Sequence, residues 1–173
     1  HTILPLTARP SPDATALIAE AAPLRGGLST LSNEDMLIHA AAHLFADGDL
    51  TGGLRNLWDI DRLLREHGDN AYWRRLGERA RMHGLSRSVA LALRMAARLY
   101  ETPVDPVLAG RSRPGDAWIE RRLLARDGWG RGTRPVTRLV FYVRSHWLRM
   151  PPLMLARHLW IKWRKNGRLS ETS

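Results

Sequence analysis

Between Asn33 and Ala46 a helix is apolar round nearly its whole circumference. Met36, Leu37, Ile38, Ala40, Ala41, Leu44 and Phe45 leave only one polar stripe, made by Asp35, His39 and His43. A helix of that kind is stable in water only when other elements cover it, so its neighbours must build a core around it. Ser32 opens the helix with Asp35 three residues on, a variant of the capping box. Asp47-Gly48-Asp49 turns the chain, and a second helix follows from Leu50 to His67, weakened at its start by Gly52-Gly53. Its inward face is Leu50, Leu54, Leu57, Trp58, Ile60 and Leu64, with Arg55, Asp59, Arg62 and Glu66 opposite. Asp61 falls in the middle of the apolar stripe. An unpaired carboxylate there costs several kcal/mol, so it requires a partner.

The rest of the chain supplies further helices. His1 to Pro12 reads as extended, because Pro5, Pro10 and Pro12 exclude helix, and Asp13 can cap a short helix through Ala21. Gly68 ends the second long helix, and Asn70 can cap a third, through His83, with Tyr72, Trp73, Leu76 and Ala80 inward. Ser86 to Tyr100 is a fourth, with Val89, Leu93, Ala96, Ala97 and Tyr100 inward and Arg87, Arg94 and Arg98 outward. Loops this short imply antiparallel neighbours in a compact bundle. From Thr102 the prolines and glycines mark a connector, then a short helix around Trp118 to Arg126, then a looser Gly128-x-Gly130-x-Gly132 linker. Thr133 to Met150 resumes helical spacing with Val136, Leu139, Val140, Val143 and Trp147 on one side, and Leu153 to Lys165 follows Pro151-Pro152 as a last helix. The expected class is all-α. The expected division is an extended segment and short helix at 1–30, a bundle at 31–110, a linker with a short helix at 111–135, and basic amphipathic helices at 136–173.

Charge is placed unevenly. The net charge is +10, yet residues 1–130 hold 17 Arg against 16 acids, while residues 131–173 hold 10 Lys or Arg against Glu171 alone. The tail sets Arg138, Arg144, Arg149, Arg157, Lys162, Arg164 and Lys165 among Trp147, Trp160 and Trp163. Such a segment can dock its apolar face on the bundle, lie on anionic lipid, or bind nucleic-acid phosphates, in that order of preference. With no cysteine, disulfides and thiolate metal sites are excluded. No run reaches the roughly 20 apolar residues of a membrane span.

Few residues carry obvious chemistry. His39 and His43, one turn apart, have the spacing for sharing a metal, with a third ligand to come from elsewhere, such as Asp61. Two histidines on an apolar helix are more often packing residues, so no metal site is assigned. Arg55 and Asp59, four apart, suit an exposed helical ion pair. Asp61 suits a structural pair with a histidine of the preceding helix, or the capping of a loop. The polar cluster of interest is therefore His39, His43, Arg55, Asp59 and Asp61, and no recognisable nucleophile motif or phosphate-cradling glycine loop accompanies it.

The stretches LSNEDMLIHAAAHLF, LRNLWDIDRLLREHG and YWRRLGERARMHGLSRSVALALRMAARLYETPV resemble the helical C-terminal half of the bacterial uncharacterised nucleotidyltransferase family, part of the minimal nucleotidyltransferase superfamily. The opening HTILPL resembles the segment after that family's last catalytic strand, so the likeness spans Thr2 to Val107. The resemblance implies a small sheet in the intact protein, bearing a Gly-Ser motif and paired acids that hold Mg²⁺ and a nucleoside triphosphate. Here no Gly-Ser pair is followed by Asp-x-Asp, and the matching residues are His39, His43, Asp59 and the leucines around them. No catalytic residue is carried over. The implied function is a helical accessory domain on the acceptor side of a nucleotidyltransferase-like protein, inactive alone. The competing expectation is a non-enzymatic adaptor whose tail binds a membrane surface or an acidic partner. The start at His1 suggests a processed or truncated product, whose partners would be a missing N-terminal catalytic domain or a second copy of itself. The expected location is the cytoplasm, with peripheral attachment to the inner membrane as the alternative.

Overall fold

The computed structural model describes residues 14–46, 48–147 and 154. The expected extended segment at the start and, apart from Met154, the expected helix Leu153 to Lys165 lie outside the described residues, as do Arg149, Arg157, Trp160, Lys162, Trp163, Arg164 and Lys165. The class is all-α. Eight helices and one small hairpin are present among the described residues: α1 (Ala14–Ala19), β1 (Ala22–Pro23), β2 (Ser29–Thr30), α2 (Asn33–Ala46), α3 (Gly53–His67), α4 (Asn70–Met82), α5 (Ser86–Tyr100), α6 (Pro106–Ala109), α7 (Pro114–Leu123) and α8 (Pro135–Trp147). The hairpin was not anticipated. It pairs Ala22 with Thr30 and Pro23 with Ser29, and Gly26 and Gly27 take the left-handed conformations its loop needs.

The core gathers round α2, as the breadth of its apolar surface requires. Leu37, Ile38, Ala41 and Leu44 of α2 pack with Leu57, Ile60 and Leu64 of α3, Tyr72 and Leu76 of α4, and Leu93 and Met95 of α5. Helix α3 starts three residues later than the sequence suggests. Leu50 is buried, but its φ of 57 keeps it out of the helix, and Gly52 takes the cap position at φ 74. Asp69, rather than Asn70, caps α4, accepting from the backbone of Tyr72 at 2.7 Å.

Three expected faces are corrected. Trp58 is 51% exposed rather than inward, with the Arg62 guanidinium 5.9 Å from its ring centre. Arg94, expected outward, is buried against α7. On α8 the inward residues are Thr137, Phe141 and Ser145, whereas Val136, Leu139, Val140 and Trp147 are exposed. The reason is polar anchoring. Arg121 donates to Thr137 at 3.0 Å, and Arg144 to the Gly48 carbonyl at 3.0 Å, which turns the polar stripe of α8 toward the body. Within the described residues, no helix is long and apolar enough to cross a membrane.

Candidate functional site

The polar stripe of α2 runs from core to surface: Asp35 is fully buried, His39 half-buried and His43 exposed. Asp35 sits in the first helical turn, where the helix dipole favours a negative charge. Its carboxylate accepts from Arg79 Nε at 3.0 Å and from Arg79 Nη2, and His83 Nε2 approaches to 3.5 Å. Glu34 beside it accepts from Arg75 Nε at 2.6 Å. Successive carboxylates of α2 are thus each held by an arginine of α4. Arg79 also reaches the Ala16 carbonyl at 3.1 Å, fastening α1 to the bundle. Both ring nitrogens of His83 are buried without a hydrogen-bond partner, so Asp35 is the charge that ring faces. Apolar spacing alone does not point to this cluster. The signal available was the run Arg75, Arg79, His83, spaced by four on one face of α4.

His39 and His43 do come together, ring centres 5.9 Å apart. Burial, and then the charge of His43, push the His39 imidazole below its ordinary 6.5. The folded state therefore binds fewer protons than the unfolded chain at this site. Its share of stability is complete above pH 6.5 and lost as pH falls below it. By proton NMR, His39 should titrate below 6.5, and His43→Ala should move it upward by removing the neighbouring charge; an unmoved His39 would mean that burial alone sets it.

The remaining candidates are dispersed. Asp61 accepts from Arg65 Nε at 2.7 Å and Thr102 Oγ1 at 2.6 Å, with Arg62 at 3.3 Å. No histidine of α2 is its partner; of the two expected roles, the contact with the loop after α5 is the one found. Arg65 continues to the Tyr100 carbonyl at 2.8 Å, so the group clamps the end of α5 to α3. Burial alone would raise the Asp61 carboxyl, but the bonds from Thr102 and Arg65 and the charges of Arg65 and Arg62 outweigh it and hold it below the usual range. Arg55 and Asp59 are exposed, and among the described residues neither joins an ion pair, so the expected surface pair is absent. Asp59 and Asp61 do have Asp-x-Asp spacing, as do Asp47 and Asp49, but neither pair follows a Gly-Ser. On a helix, positions two apart point roughly 200° away from each other, so Asp59 is in water while Asp61 is in the core.

In the basic segment, Arg144 is spent on Gly48, and Arg138 helps hold Asp49 below the usual carboxylate range. Burial of Asp49 acts the other way and is outweighed by Thr51, Arg122 and then Arg138. Trp147 is exposed. Among the described residues no three of His, Asp and Glu lie close enough to hold a metal ion.

A family model described as "Uncharacterised nucleotidyltransferase" matches residues 1–101. No curated protein and no solved structure matches this chain.

Proposed function

The chain belongs to the uncharacterised nucleotidyltransferase family, and from that membership we propose that its helices form the acceptor side of a nucleotide-transfer site whose catalytic acids lie elsewhere. The observation that carries this reading is the extent of the match, which closes at residue 101, one residue past the end of α5. The matched stretch therefore takes in α2, α3, α4 and α5, the four helices that supply most of the core. The described residues do not suit a triphosphate held by two cations. They bring no three acids or histidines together, and Asp35 and Asp61 are already neutralised by arginines. What α2 offers instead is a surface: His43 in water and a half-buried His39 whose imidazole burial holds below its ordinary value, both able to hydrogen-bond an acceptor hydroxyl. Mg²⁺ and a nucleoside triphosphate would be supplied and held outside these helices.

Radiolabelled nucleotide transfer by the whole gene product tests this. Removing groups that only position an acceptor should slow transfer at low acceptor concentration by about tenfold in His39→Ala/His43→Ala, with folding intact. Unchanged transfer would make the stripe purely structural. Turnover of Mg-ATP by the 173-residue chain alone would overturn the supporting role altogether.

A further inference from the structure

Two grooves flank the start of α5 and meet at the same arginines. The first, about 480 Å³, lies between α4, α5 and α6, with Ala80, Val89, Val107 and Leu108 among its walls. The second, about 530 Å³, runs between α5, α7 and α8 past Leu91, Trp118, Val140 and Phe141. Arg87, Arg94 and Arg113 line both, so they stand where the grooves join. Arg81 and Arg111 join the wall of the first, and Arg144 that of the second.

Opposing charge is nearly absent there. No carboxylate lines the first groove, and the second has only Asp116. That carboxylate is consumed by Arg94 at 2.7 and 3.2 Å and by the Arg113 backbone N–H at 3.0 Å. Among the described residues the side chains of Arg87 and Arg111 make no hydrogen bond or ion pair, and Arg113 makes no ion pair. Like charges gathered over apolar walls repel one another, and an anion between them relieves that repulsion. A planar guanidinium also presents paired donors at the spacing of phosphate oxygens. The first turn of α5, at Ser86 and Arg87, has no side-chain cap and leaves backbone N–H donors beside the same spot. The apolar walls on either side suit a hydrophobic or aromatic body.

We propose that this double groove binds an organic phosphate, with the anion between Arg87 and Arg113 and the apolar body along one of the grooves. Neither groove includes His39 or His43, so the site is separate from the acceptor face and survives if that reading fails.

Calorimetric titration of the chain with 1-naphthyl phosphate tests it. Two comparison compounds divide the interaction: 1-naphthol keeps the ring without the anion, and inorganic phosphate keeps the anion without the ring. The expected result is saturable one-to-one binding of the naphthyl phosphate, with each comparison compound at least about tenfold weaker, since losing either a bond to a charged group or the burial of the aromatic ring costs that much. Arg87→Gln/Arg113→Gln should weaken binding by about tenfold or more, and Arg87→Lys/Arg113→Lys should restore part of it by returning the charge. Both side chains are exposed, so folding is preserved, and Arg55→Ala, outside both grooves, should leave the affinity unchanged. Absence of saturable binding, equal affinity for 1-naphthol or for inorganic phosphate, or an unchanged affinity in the double glutamine variant would each overturn the proposal.

Discussion

Replacing Asp35 by alanine should cost about 3–5 kcal/mol of unfolding free energy, the usual loss when one member of a buried ion pair is removed. Asp35 has no exposed surface, and its partner Arg79 is itself 12% exposed at the side chain. Without the carboxylate, a guanidinium held between α2 and α4 keeps its charge and loses its counter-ion. The His83 ring, already lacking any hydrogen bond, loses the one charge it faces. The damage extends to α1, because the arginine that carries the pair also holds the Ala16 carbonyl. Urea unfolding at neutral pH measures the loss. Asp35→Leu/Arg79→Met should recover most of it, since apolar replacement of both partners removes the uncompensated charge rather than creating one. If the double variant is no more stable than Asp35→Ala, the pair acts by geometry rather than by charge balance.

How far the chain could be read from its residues depends on the range of each interaction. The extents of α2 and α5, and the inward faces of α2, α4 and α5, follow from apolar spacing, which is local, and so does the meeting of His39 with His43. Asp61 was recognisable as a carboxylate needing a partner, because it breaks an apolar stripe. The spacing leaves a histidine of α2 or a loop as that partner; the loop contact forms through Thr102, and Arg65, one turn on in the same helix and the nearest cation by helical geometry, joins it. Arg94 could not be placed in this way. An arginine amid a helix is normally solvated, and the group that draws it inward, Asp116, lies 22 residues away on α7. Helix α8 makes a related point. Its period shows that Val136, Val140 and Val143 share a side, but a shared side is not a covered one. Two hydrogen bonds, from Arg121 and Arg144, instead decide which side meets the body. The grooves beside α5 escape sequence reading for the same reason, since Arg87 and Arg113 line a common groove only through tertiary packing.

Arg94→Met should likewise destabilise the fold by about 3–5 kcal/mol at neutral pH, and the pH dependence of that loss identifies its cause. Arg94 is 8% exposed and Asp116 only 2%. In the native protein, burial alone would raise the Asp116 carboxyl, but the Arg94 bond, the Arg113 backbone N–H and the nearby charges of Arg94 and Arg98 outweigh it and hold it below its ordinary 3.8. A lowered carboxyl contributes stability that is present above pH 3.8 and lost as pH falls through its folded value. In Arg94→Met the burial penalty remains while the principal compensating bond is gone, so the carboxyl should move upward instead. Acid then neutralises a buried charge that has no counter-ion, which favours the folded variant. The stability gap between native protein and variant should therefore be widest near neutrality and narrow as pH falls toward 4, a range within reach of urea titration. The Ala109 carbonyl, which also loses its 2.7 Å bond from Arg94, does not titrate. A gap that stays constant with pH would assign the loss to that carbonyl and to packing, whereas a narrowing gap assigns it to Asp116.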